Sequence, residues 1–194
     1  MNSQSRALRT ATTLSAAVIM ALCTSHEAHA QRTMRDQNLL TVQIQTPCTG
    51  ARFFGGNLSW GRYMLDAYWR TSASVVPRGV GLSTGHTMDV VSIRAGGSYM
   101  HRIASVRSRA FSLYGGGGAF IGYELYDPAS RLPANISTGL GDGAFIYGID
   151  PGIEAEVFIS RRVALTAGCT MPLTFGSVTR WIRVNATAGI RLNI

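Results

Sequence analysis

The chain has 194 residues, of which 46% are hydrophobic and 14% charged, and it carries a formal charge of +8 at pH 7. All 18 basic residues are arginines, scattered rather than clustered and without a basic tail, which argues against direct nucleic-acid binding. No stretch reaches the roughly 18 or more consecutive apolar residues of a membrane-spanning helix, and the length suits one domain.

Residues 1–30 read as a secretory signal peptide. Arg6 and Arg9 provide the basic start, and Ala11 to Cys23 forms a mostly apolar stretch without charge. Ala28-His29-Ala30 before Gln31 fits a small-x-small cleavage site. The apolar stretch falls short of the about 20 residues a spanning helix needs. Cys23 resembles a lipidation site, but Leu22 is bulky where that processing wants a small residue. Residues 31–194 then form a single domain.

That domain reads as eight strands. The first, near 39–46, alternates Leu40, Val42 and Ile44 with Thr41, Gln43 and Gln45. The second, near 53–60, sets Phe54, Gly56, Leu58 and Trp60 against Asn57 and Ser59. Gly61-Arg62 is expected to turn into the third, near 63–71, with Tyr63, Leu65, Ala67 and Trp69 opposite Asp66 and Arg70. The fourth, near 87–102, alternates Val91, Ile93, Ala95 and Tyr99 with Ser92, Arg94 and Ser98. The fifth, near 109–126, holds Phe111, Leu113, Ala119, Ile121 and Tyr123 on one parity. Its Gly115–Gly118 run lacks the Lys-Ser/Thr and the helix of a phosphate loop, and is read as strand interior.

The sixth strand, near 144–159, sets Phe145, Tyr147, Ile149, Ile153, Ala155 and Val157 against Asp150, Glu154 and Glu156, and the seventh lies near 163–175. The eighth carries the clearest pattern. From Ile182 to Ile194 every second residue is apolar, and Arg183, Asn185, Thr187, Gly189, Arg191 and Asn193 occupy the other face. A period of two places alternate side chains on opposite faces of a strand. The run exceeds the usual five or six residues of a soluble strand and the about 9–11 that cross a bilayer obliquely.

The expected architecture is an eight-stranded antiparallel up-and-down β-barrel of outer-membrane type, its apolar parity toward lipid. A soluble eight-stranded barrel, apolar inside, is the competing fold. Connections at 61–62, 103–108 and 160–162 are short, whereas 72–86 and 127–143 are long and rich in Gly, Pro, Ser and Thr. Such alternation is how outer-membrane barrels distribute periplasmic turns and external loops. Trp60, Tyr63, Trp69, Tyr99, Phe111, Tyr123, Phe145, Phe175 and Trp181 fall near strand ends, where interfacial aromatic girdles form.

The opposite parity collects Asp66, Arg70, Arg94, Glu124, Asp150, Glu154, Glu156, Arg183 and Arg191 as structural lumen charges. A barrel of eight strands is just wide enough for side chains to fill it, so opposite charges are expected to pair there. Glu154 and Glu156 should face inward and meet Arg183, Arg191 or Arg94. An acid/base reading of the two glutamates is weaker than this packing role. His86, in an outer loop, and His101, at the periplasmic edge, are not expected to meet a serine, so no catalytic residue is assigned. Cys48 and Cys169 are expected to be free, buried thiols, and no His/Cys spacing points to a metal or cofactor site.

Asp142-Gly143-Ala144-Phe145-Ile146-Tyr147-Gly148, Glu154-Ala155-Glu156 and Ser160-Arg161-Arg162-Val163-Ala164-Leu165 resemble the TraO family of Bacteroides-type conjugative transposons. Gly122-Tyr123-Glu124 before a long loop fits as well, and the resemblance covers about residues 111–194. Pro172 and the terminal Ile194 depart from the family pattern. The resemblance implies an envelope component of a conjugative DNA-transfer apparatus in a Gram-negative outer membrane, contacting lipid and other apparatus proteins. Because its motifs are structural, it transfers no functional residue. The alternative from fold alone is a general outer-membrane barrel for adhesion or envelope stability.

Overall fold

The computed structural model describes residues 36–48, 54–81, 87–106, 110–127, 143–160, 162–177 and 182–194. The signal segment, His86, Trp181 and the long 128–142 connection lie outside these residues. The strands are β1 (Asn38–Pro47), β2 (Gly55–Tyr63), β3 (Ala67–Gly81), β4 (Thr87–Ser105), β5 (Phe111–Asp127), β6 (Gly143–Ile149), β7 (Gly152–Phe158), β8 (Val163–Thr170), β9 (Leu173–Phe175) and β10 (Asn185–Asn193). β6 and β7 are halves of one span, and so are β8 and β9. Eight antiparallel spans follow one another in chain order, and β1 pairs with β10 to close the barrel. Closure leaves no free sheet edge along the wall, which a membrane demands because lipid cannot satisfy backbone groups.

Both split spans break at a proline, Asp150-Pro151 in one and Met171-Pro172 in its neighbour. Proline has no N–H to give the ladder. The register survives: Ile149 pairs with Ala119 and Gly152 with Gly116, so two residues face Gly117-Gly118. The Asp150 N–H still donates to the Gly118 carbonyl at 2.9 Å and the Met171 N–H to that of Pro151 at 2.8 Å. Glycine suits β5 because of close strand approach. A Cβ on Gly116 or Gly118 would lie 2.1 Å from the carbonyl oxygen of Tyr99 or Gly97.

Three expectations are corrected. The tight turn is Met64–Asp66, not Gly61-Arg62, because Arg62 still pairs with Trp69 and Tyr63 with Tyr68; the Met64 N–H closes the turn on the Ala67 carbonyl at 2.7 Å. Tyr63 therefore ends β2 inside the barrel rather than in an outer girdle, and is 1% exposed. The third span does not stop at Thr71: β3 pairs with β4 as far as Gly81, which leaves 82–86 as the connection. Cys48 is free but exposed, and Cys169 is free and half-buried.

The inside and outside of the wall follow the alternation. Val42, Ile44, Leu58, Ile121, Tyr147 and Ile190 are all about half exposed on the outer face, whereas Thr41, Gln43, Ser92, Glu124, Glu156 and Arg191 are buried. This is the inverse of a soluble barrel. Apolar side chains cluster in the interior at its two ends, and Phe120 and Ile146 are buried between them. Leu39, Tyr63, Tyr68, Met100 and Tyr114 cluster at the short-turn end. Val90 and Tyr126, with Val80 and Ala144 against them, do so toward the long loops.

Candidate functional site

The lumen is the chemically distinctive part of the molecule, and strand parity builds it. On β7, Glu154 and Glu156 point inward because one residue separates them. Arg191 of β10 reaches both. Its Nη1 lies 3.1 Å from Glu156 Oε1, its Nη2 meets Glu154 Oε1, and its Nε donates to Thr41 Oγ1 at 3.0 Å. Arg70 of β3 approaches Glu154 Oε2 from the opposite wall at 2.7 Å. Tyr68 donates to Glu154 Oε1 at 2.5 Å, Tyr63 donates to Glu156 Oε1, and Gln43 Nε2 donates to Glu154 Oε2 at 3.0 Å. The Arg191 guanidinium also sits 4.5 Å from the Tyr68 ring centroid, a cation–π contact. Edge-on stacking of Tyr63 on Tyr68 and of Tyr68 on Tyr114, with centroids 5.7 and 5.0 Å apart, seals this network from the turn end.

A second network lies toward the loops. Glu124 of β5 is fully buried, and Arg78 Nη2 and Arg183 Nη1 lie 2.5 and 3.2 Å from its Oε1. Ser92 donates to Oε1 at 3.2 Å, and Ser177 and Tyr126 to Oε2 at 2.7 and 3.3 Å. Between the two networks is a cavity of about 60 Å³, lined by Asn57, Arg70, Ser72, Arg94, Ser98 and Asp150 among others. Arg94 is 7% exposed there, with its guanidinium 5.0 Å from the Phe120 centroid.

The structure thus places Arg70, Glu154, Glu156 and Arg191 in one cluster and Glu124 and Arg183 in another, with Arg94 and Asp150 lining the cavity between them. Arg183 meets Glu124 rather than the β7 glutamates. Asp66 is not a lumen charge: it sits in the exposed 64–66 turn and pairs with Arg102, because the turn falls where a third strand was expected. Gln43 lies inside as the alternation of β1 predicts, whereas Tyr63, Tyr68, Tyr114 and Arg78 are lumen residues that the sequence pattern did not single out. Parity holds the signal for Tyr68 and Arg78, which share the parity of Arg70, whereas Tyr63 takes the parity of Ser59 only because β2 runs on to residue 63. Starting the third strand at Tyr63 puts that residue in phase with Leu65, Ala67 and Trp69, which is the wrong face.

Chemically, the arrangement holds the walls together. Glu124, Glu154 and Glu156 are engaged by guanidinium or phenol groups inside the barrel, and Glu154 also borders the cavity. Among the described residues no group of three His, Cys, Asp or Glu is placed to hold a metal.

The outer surface carries two aromatic zones. Trp60 and Trp69 stack edge-on, 5.3 Å apart, near the 64–66 turn. Tyr147 lies between Phe145 and Phe175 near the loop end, at 6.4 and 5.7 Å. On β5, exposed Phe111 and Tyr123 mark the two levels twelve residues apart. At about 3.3 Å per residue and a tilt near 40°, that is about 30 Å of height, the thickness of a bilayer core. No helix among the described residues is long and apolar enough to cross a membrane.

Comparison with known proteins agrees on family and fold. A family model described as "Conjugative transposon protein TraO" matches residues 30–194. Among solved structures, a major outer membrane protein from Thermus thermophilus is similar with a TM-score of 0.61 and 9% identity, covering 83% of this chain and 100% of that one. The outer membrane protein OprG from Pseudomonas aeruginosa gives 0.52 and 10%, over 87% and 99% of the two chains. Ail, the attachment invasion locus protein of Yersinia pestis, gives 0.51 and 16%, over 83% and 100%. At these identities the likeness concerns the fold. No curated protein matches the chain.

Proposed function

This chain belongs to the TraO family of conjugative transposon proteins, and from that premise we propose that it is an outer-membrane barrel of a conjugative DNA-transfer apparatus, with a structural or interaction role. The observation that carries the choice of role is the filled lumen. Apolar clusters occupy both ends, two ion networks fill the space between, and the remaining cavity of about 60 Å³ is far too small for a strand of DNA. Partners of the apparatus would therefore engage the outer loops or the short turns, not the interior. The same packing favours a non-catalytic protein that binds neither nucleic acid nor a cofactor. Residues 1–30 would direct export through the inner membrane and be removed at Ala30-Gln31, and the apolar outer face would meet outer-membrane lipid.

Deletion of the gene, with the neighbouring transfer genes still expressed, followed by a mating assay tests this. A fall in transfer frequency that is restored by the full-length gene supports the reading. Unchanged transfer leaves a general envelope barrel of the adhesion or stability type. Fractionation tests the location separately: recovery from the soluble periplasm without detergent would exclude a membrane barrel.

A further inference from the structure

Arg94 differs from the other described lumen arginines. Arg70, Arg78, Arg183 and Arg191 each have a carboxylate oxygen within 3.2 Å. Arg94 makes no such pair among the described residues, and its buried Nε has no hydrogen-bond partner there. Asp150 Oδ1 and Asn57 Oδ1 are likewise buried and unpartnered. These residues line the same cavity, and Arg94 and Asp150 carry opposite charges. A buried polar atom without a hydrogen bond is costly, and these three atoms border a polar cavity from which the missing bonds can be supplied.

Small side chains create the space. Ser72 and Ser74 of β3 and Gly96 and Ser98 of β4 face this layer, whereas toward the turn end the same strands carry Tyr68, Arg70 and Met100. The wall beside it is where Pro151 and Pro172 interrupt the ladder. An occupant must donate to the Asp150 and Asn57 oxygens and accept from Arg94, which a simple anion or cation cannot do. Water does both. A bridging water needs two to four polar partners and about 10–15 Å³, so about 60 Å³ accommodates more than one.

We propose that the mid-lumen cavity is a built hydration site, in which a small water cluster joins Arg94 to Asp150 and Asn57 as a solvent-separated ion pair. The barrel interior is then layered: a directly paired ionic network at each side and a hydrated layer between them, which Arg70 and Glu154 border. This inference is independent of the role in conjugation.

Two measurements on the mature, refolded protein test it. In crystals grown with sodium bromide and diffracting well enough to place water, at least two waters should bridge Arg94 Nε and Asp150. Bromide on the guanidinium, or a direct Arg94–Asp150 contact across a closed cavity, would overturn the proposal. In a double-mutant cycle, Arg94→Gln and Asp150→Asn should be non-additive in unfolding temperature by less than half of the coupling between Arg191→Gln and Glu156→Gln, since water screens the first pair. Equal coupling would mean direct pairing and would also sink it. If the Arg191 variants fail to refold, the crystallographic result decides alone.

Discussion

The two ion networks of the lumen use the same chemistry under different constraints. At the turn end, two glutamates meet two arginines, and all of these side chains come from regular strands: β3, β7 and β10. Toward the loops a single carboxylate, Glu124, serves two arginines. Two of its partners, Arg183 and Ser177, come from beside the connection between β9 and β10, where Gly176 takes a left-handed φ of 78° to leave the strand. The first cluster ties five strands across the barrel axis and is capped by tyrosine rings on its turn side. The second fastens the mouth to the wall. The difference teaches that ionic groups inside one barrel can serve either as a fixed brace or as a clasp for a connection.

Removing Arg191 should give the largest effect and would break this comparison if it did not. Arg191→Met leaves Glu156 with only Tyr63 among these partners and Glu154 with Arg70, both buried. Losing one member of a buried pair costs about 3–5 kcal/mol, read as a lower urea midpoint for unfolding in lipid vesicles. Glu124→Gln should cost less, about 2–3 kcal/mol, because Arg78 and Arg183 keep further interactions. Equal losses from the two variants would erase the distinction between brace and clasp. The Glu124 variant should also raise proteolysis within 176–184 more than Arg191→Met does, as the clasp reading requires.

Tyr63→Phe sharpens the role of the tyrosine seal. It removes a hydroxyl that donates to Glu156 and accepts from Arg191 Nη1 at 3.1 Å, while Glu156 and Arg191 keep each other, at a cost of about 1.5–3 kcal/mol with folding otherwise intact. The smallest effect belongs to the turn. Arg102→Gln breaks its pair with Asp66, whose side chain is half exposed, so at most about 1 kcal/mol is expected from thermal unfolding. A larger loss would place Asp66 in the structural framework after all.

Much of this was legible along the chain. Alternation in β1 and β10 marks lipid-facing and lumen-facing residues one by one, because the side-chain period of a strand leaves only two faces. Glu154, Glu156 and Arg191 were therefore assignable to the interior from phase alone. Tyr63 was not, because its place depends on where β2 ends, and Gly61-Arg62 and Met64–Asp66 are both chemically acceptable as turns. Arg78 was missed for a related reason. Its Ser-, Pro- and Gly-rich surroundings resemble a loop, and only pairing with β4 as far as Gly81 makes them a strand.

By itself, then, the sequence determined the strand character, the inverted polarity of the two faces and the inward direction of most of the charges, since each follows from local spacing. Its resemblance to one family pointed to conjugative transfer, and the match over residues 30–194 established the membership. Tertiary structure alone decided which charges meet. Arg183 and Arg191 lie on one parity of one segment, yet they serve carboxylates in separate clusters. Strand tilt and register separate them along the barrel axis, and an ion pair requires contact within a few ångströms, which parity cannot specify.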